Sequence, residues 1–209
     1  MKGQKGYIGL GVGLVAAGII FLLQNFGFLG PFENLIWVLL FGAAGVAFLA
    51  VVLTNHEHWW AVIPGFTLLG LAGLIGFGDR LGELGAALFL ASIGLSFWVI
   101  YAMRHEFWWA IIPGGTLFSL AAMIALTQFV DGEAVVGVFF LGLAATFGLV
   151  YLLPTPEGRM KWALIPAAVL AVMGALFLIA LGGLAGYFWP IVLIAAGAFV
   201  LFRAFVARR

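Results

Sequence analysis

The chain has 209 residues, of which 66% are hydrophobic and only 8% charged, and its mean hydropathy is +1.25. A soluble domain carries about 25% charged residues, so this chain cannot clothe a water-facing surface and must meet lipid on most sides. A net charge of +1, with no basic cluster interleaved with aromatics, gives nucleic acid no foothold as a partner, and the absence of cysteine excludes disulfides, thiolate catalysis and Cys-based metal sites.

Lys2 and Lys5 precede the first apolar run, as in a signal peptide. No small-x-small cleavage site follows the run, and Gln24-Asn25-Phe26 comes instead, so it reads as a retained first membrane helix. Crossing about 30 Å of hydrocarbon takes roughly 20 mainly apolar residues. Eight runs meet that length: 6–24, 34–53, 59–78, 83–103, 108–129, 133–153, 161–181 and 187–206. Helices are the only sensible reading of them, because an open strand would leave backbone groups unpaired in lipid.

The chain repeats itself on the scale of two such runs. "HEHWWAVIPG" (His56 to Gly65) returns as "HEFWWAIIPG" (His105 to Gly114) with eight of ten letters unchanged. A third echo runs from Trp162 through Ala163 to Pro166, and Tyr7 opens the first unit. The even runs match as well: Gly82-Glu83 leads to Tyr101 and Gly132-Glu133 to Tyr151, each after eighteen residues. The expected fold is therefore an all-α, polytopic integral membrane helix bundle. Its eight transmembrane helices form four tandem helical-hairpin repeats at approximately 5–55, 56–104, 105–157 and 158–209, within one membrane domain spanning 1–209. Because each unit crosses twice, the copies are parallel repeats about an axis along the membrane normal.

Basic residues orient the bundle. Lys2, Lys5, Arg104, Arg159, Lys161, Arg203, Arg208 and Arg209 fall on the side of the termini, and Arg80 alone on the other. Positive charge gathers on the cytoplasmic side, so both termini are expected there, in the cytoplasmic (inner) membrane of a bacterium. The acids Glu33, Asp79, Glu83, Asp131 and Glu133 lie on the outer side.

The repeated phrase reads as a structural landmark. Trp59, Trp60, Trp108, Trp109 and Trp162 stand where helices enter the membrane, and indole, apolar with one polar N–H, prefers the headgroup level. Pro64, Pro113 and Pro166 follow four residues after a Trp. A helix begun at the proline is too short to span, so the sequence predicts one that starts near the Trp and is kinked by a proline in its second turn. Thr67 and Thr116, three residues beyond, are placed to bond a carbonyl one turn back.

Thirty glycines point to close helix packing. The candidate packing positions are Gly9, Gly13 and Gly18 on the first helix, Gly42 and Gly45 on the second, and Gly70 and Gly73 on the third.

Candidate chemistry is sparse. His56, Glu57, His58 and His105 match no metal-site spacing and read as solvated loop residues near headgroups. No Ser-His-Asp set is visible, and no run carries an ionisable residue in its centre, where pumps and proton-coupled carriers place one. No catalytic, cofactor-binding or metal-binding residue is assigned.

"GIIFLLQNFGFL" (Gly18 to Leu29) resembles the first helix of the small bacterial LiaI/LiaF-type membrane proteins, and "WPIVLIAAG" (Trp189 to Gly197) resembles their second. "WWAIIPGG" resembles a phrase of uncharacterised bacterial multi-spanning proteins. The resemblance implies a membrane anchor of the kind used in envelope-stress sensing, without catalysis. The expected function is a non-enzymatic structural or regulatory membrane subunit. It would pack against itself as a homo-oligomer or against another protein in a larger membrane complex. The alternative is a channel or carrier for a small neutral or lipid-like molecule.

Overall fold

The computed structural model describes residues 33–130, 134–153 and 158–179, with isolated positions at 11, 15, 18, 19, 22, 26, 194 and 197. Among the described residues the chain is all-α. Its helices are α1 (Glu33–Thr54), α2 (Val62–Leu81), α3 (Glu83–Met103), α4 (Ile111–Leu126), α5 (Ala134–Leu152) and α6 (Leu164–Ile179). Short 3-10 entry turns, His56–Ala61, Trp108–Ala110 and Lys161–Ala163, lead into α2, α4 and α6. Counted with these turns, all six helices are long and apolar enough to cross a membrane. They correspond to the six inner runs expected from the sequence, while the runs at 6–24 and 187–206 fall largely outside the described residues.

Each helix is apolar on every side, as a helix surrounded by lipid or by other helices must be. Its ends are set by local chemistry. After α1, Asn55 turns extended and its Oδ1 accepts the Glu57 N–H at 2.9 Å, capping the first entry turn. Between α2 and α3 there is a single residue, Gly82, at φ 55° and ψ −129°. A side chain is strained in that conformation, so glycine permits the one-residue reversal. Its N–H still closes α2 by bonding Gly78 O at 2.8 Å.

The entry turns change the reading of the prolines. The expected helix began at the Trp, with the proline in its second turn. Instead a 3-10 turn comes first, and Pro64, Pro113 and Pro166 are each the third residue of the α-helix that follows. The turn carbonyls are satisfied three residues on: Val62, Ile111 and Leu164 N–H bond the carbonyls of Trp59, Trp108 and Lys161. The first N–H groups of an α-helix have no partner within it, so proline's lack of one costs little there. Thr67 and Thr116 do bond back, to Ile63 O and Ile112 O at 2.8 Å each. Those carbonyls are not the ones opposite the proline nitrogen. The turns also supply length, since sixteen residues of α4 rise about 24 Å and three of 3-10 add about 6 Å, together a full crossing.

Every main helix–helix contact joins helices adjacent in sequence, so the described helices form a row. Two kinds of seam alternate along it. Between α1 and α2, glycine meets glycine: a methyl on Gly45 would lie 2.9 Å from Gly65 O. The same holds for Gly94 against Gly114 O (3.2 Å) between α3 and α4, and for Gly137 against Gly174 O (3.0 Å) between α5 and α6. In the other seams glycine meets a hydroxyl. Gly70 lies against Ser92 between α2 and α3; Gly115 lies against Thr146, and Gly142 against Ser119, between α4 and α5. Small residues let backbones approach where lipid removes any hydrophobic drive to associate.

Candidate interaction surface at the entry turns

The most ordered side-chain architecture lies where the Trp phrases enter the row. Ala61, Ala110 and Ala163, the residue after the last Trp of each phrase, are all 0% exposed. They anchor two clusters. One comprises Val52, Ala61, Val62, Ile100 and Ala110; the other Ile111, Val150, Met160 and Ala163. With the alanine pinned inward, the preceding indole is held outward: Trp60, Trp109 and Trp162 are 49%, 38% and 47% exposed.

Each of these indoles stands edge-on to a phenylalanine of the preceding helix. Phe48–Trp60, Phe97–Trp109 and Phe147–Trp162 have centroids 6.2, 6.3 and 6.1 Å apart and interplanar angles of 75°, 77° and 75°. Edge-to-face is the arrangement the ring quadrupoles favour. The phenylalanines are 49 and 50 residues apart, against 49 and 53 for the indoles they meet. Trp59 is more covered, 4.8 Å from the Phe107 ring and 6.3 Å from Trp109, and Trp108 packs on the second cluster.

Charge at this end converges on Arg104. Its Nη2 donates to Glu57 Oε1 at 2.8 Å and its Nη1 lies 3.6 Å from Glu106 Oε1, so one guanidinium ties together the acids of both "HE" phrases. It also lies 5.8 Å from the centre of the Phe107 ring. His105 packs against Tyr101 and His58 tilts toward Trp60, while His56 is exposed. Among the described residues no three His, Cys, Asp or Glu side chains gather as metal ligands would. At the opposite end, Thr127 Oγ1 donates to Glu83 Oε2 at 2.6 Å, and Asp79 and Arg80 are exposed.

Among the described residues the hydroxyls within the spans donate to carbonyls of their own helices, and Ser92 Oγ also lies 3.3 Å from Phe66 O of the neighbouring α2. Ser96, Ser119 and Thr146, all buried, bond Ile93, Gly115 and Gly142 at 2.6, 2.7 and 2.9 Å. Ser92 bonds Phe89 O at 2.7 Å. Trp98 Nε1, buried against Gly114, has no hydrogen-bond partner among the described residues.

The candidate packing glycines fare differently from one another. Gly45 and Gly70 lie in close seams, Gly42 makes ordinary contact with Ala72, and Gly18 and Gly73 have nothing within 4 Å among the described residues. Gly9 and Gly13 lie outside the described residues. Sequence reasoning missed Gly65, Gly94 and Gly114, although Gly45 and Gly94, and Gly65 and Gly114, each stand 49 residues apart. It also missed Phe48, Phe97 and Phe147, hidden among 21 phenylalanines.

The architecture defines a polytopic α-helical protein with at least six helices able to cross a membrane. Comparison with known proteins finds no matching family model, curated relative or solved structure.

Proposed function

We propose that the chain is an integral membrane protein of eight helices in four tandem hairpins, acting as a non-catalytic structural or regulatory subunit. It works by packing against further copies or another membrane protein in a bacterial inner membrane, with termini and entry turns cytoplasmic. The carrying observation is the alternation of seams. Each described helix–helix contact is closed by glycine against glycine or glycine against hydroxyl, and each hydroxyl is bonded to its own backbone. Among the described residues these seam hydroxyls are spent on backbone carbonyls and so are not offered to a solute. The half-exposed Trp60, Trp109 and Trp162, set at one end, fit a protein seated at the headgroup level.

The experiment has two arms. Extraction in mild detergent followed by native mass spectrometry is expected to give a homo-oligomer or a stoichiometric complex with one membrane protein. Reconstituted vesicles are expected to leak neutral solutes no faster than empty ones. Solute flux that changes with Ser119→Ala or Thr146→Val would overturn the scaffold in favour of a carrier.

A further inference from the structure

The three entry turns share a backbone but not a charge. Aligned on Trp60, Trp109 and Trp162, the residue three positions earlier is Glu57, Glu106 or Arg159, and the residue one position earlier is Trp59, Trp108 or Lys161. In the first two turns the acid is answered by Arg104. In the third, the acid and the first indole are replaced by two cations. Both are exposed, and neither has a carboxylate within 4 Å among the described residues.

Their placement is fixed by the chain. Met160 lies between them at φ −77° and ψ 76°, the geometry of an inverse γ-turn, and Lys161 N–H bonds Arg159 O across it at 2.9 Å. Met160 is buried, packed with Ile111, Val150 and Ala163. A buried residue at the apex leaves its two neighbours on the outside. Trp162, half-exposed and edge-on to Phe147, is next in line.

We infer that Arg159, Lys161 and Trp162 form a binding site for the phosphodiester of an anionic phospholipid, with the indole against the upper acyl chain. Arg159 and Lys161 supply cationic donors for the phosphate, and the indole sits where headgroup meets hydrocarbon. A soluble anion would meet the cations alone; a lipid also lays its upper acyl chain against the half-exposed indole. The inference rests on the membrane reading but not on which side the turn faces, nor on the scaffold function.

The full chain is purified in neutral detergent, offered equal phosphatidylglycerol and phosphatidylcholine, and bound lipid is counted by native mass spectrometry. Wild type is expected to prefer phosphatidylglycerol, about fivefold for each cation engaged. Arg159→Gln with Lys161→Gln is expected to bring the ratio close to one. The charge-keeping pair Arg159→Lys and Lys161→Arg should retain it, and Arg104→Gln should leave it unchanged. Raising sodium chloride to molar levels should erase the wild-type preference without any substitution. Equal retention by wild type and the neutral double variant, an equal loss in Arg104→Gln, or displacement by millimolar glycerol phosphate would overturn the site. Failure of the chain to partition with membranes at all would instead sink the membrane reading, and solute flux with an intact lipid preference would sink only the scaffold.

Discussion

Gly45 and Gly73 carry opposite forecasts for the same substitution. Both lie inside helices, α1 and α2, where alanine is favoured over glycine by about 1 kcal/mol. At Gly73 a methyl would find nothing within 4 Å among the described residues, so Gly73→Ala is expected to stabilise by up to that amount. At Gly45 the methyl would lie 2.8 Å from Leu69 Cγ, 2.9 Å from Gly65 O and 3.0 Å from Leu69 N. Two of those three atoms are backbone and cannot rotate away. Forcing α1 and α2 apart carries an overpacking cost of about 1–3 kcal/mol. Set against the helix gain, Gly45→Ala should range from neutral to a loss of about 2 kcal/mol, and the two variants should differ by about 1–3 kcal/mol. Unfolding in mixed micelles by titration with a denaturing detergent, followed by tryptophan fluorescence, measures the difference. Equal shifts in one direction would refute the seam, because they would mean that both glycines see the same surroundings.

A double-mutant cycle on Phe97→Leu and Trp109→Leu should give a coupling of about 0.5–1.5 kcal/mol for the edge-on pair, and zero coupling would remove it. Arg104→Ala is expected to cost no more than about 1 kcal/mol, less in high salt, since the carboxylates it meets are exposed; a salt-independent loss of several times that would mean the pair is buried. Trp98→Phe should change stability by less than about 1 kcal/mol, because losing ring volume is offset by losing an unpaired buried N–H; a larger loss would reveal a partner for Nε1. Cysteines introduced singly at His56 and Asp79 of this cysteine-free chain should differ toward an impermeant thiol reagent added outside cells, with labelling at 79 and none at 56; the reverse pattern would invert the proposed orientation.

Hydropathy was enough to find the six described helices, and the bounds expected for α3 coincide with those observed. Length and apolar content are properties of a segment, and a membrane selects for little else. The entry turns were not legible. "WWAIIP" specifies that a helix starts nearby, but the choice of a 3-10 turn over a first α-turn depends on the buried alanine and on the cluster that receives it. The glycines show the same limit. Gly42, Gly45, Gly70 and Gly73 all sit in small-residue patterns, yet only Gly45 and Gly70 meet another backbone or hydroxyl closely. A pattern of period three or four says that residues share a face; whether that face meets a helix or lipid depends on the partner's rotation. Arg104 was seen as a cation at a helix end, but its pairing with Glu57 joins residues 47 apart and required the fold.

The alternation of seams follows from what each contact joins. The Gly70–Ser92 contact recurs as Ser119–Gly142, 49 and 50 residues later, with glycine and hydroxyl exchanged. Exchange preserves what the seam needs, one side chain small enough to fit against one bare backbone, while leaving the identity of each partner free. In the glycine–glycine seams both sides are bare: Gly45 recurs as Gly94 and Gly65 as Gly114, whereas the third such seam uses Gly137 and Gly174 at other places along its helices. The glycine–glycine contacts join α1 to α2, α3 to α4 and α5 to α6, and the glycine–hydroxyl contacts join α2 to α3 and α4 to α5. Connection length does not sort the seams: Gly82 alone ties α2 to α3, but α4 and α5, with the same kind of seam, are separated by 127–133, as long a stretch as the 55–61 between α1 and α2. Both kinds of contact let neighbouring backbones come close in a solvent that gives apolar helices no reason of their own to associate.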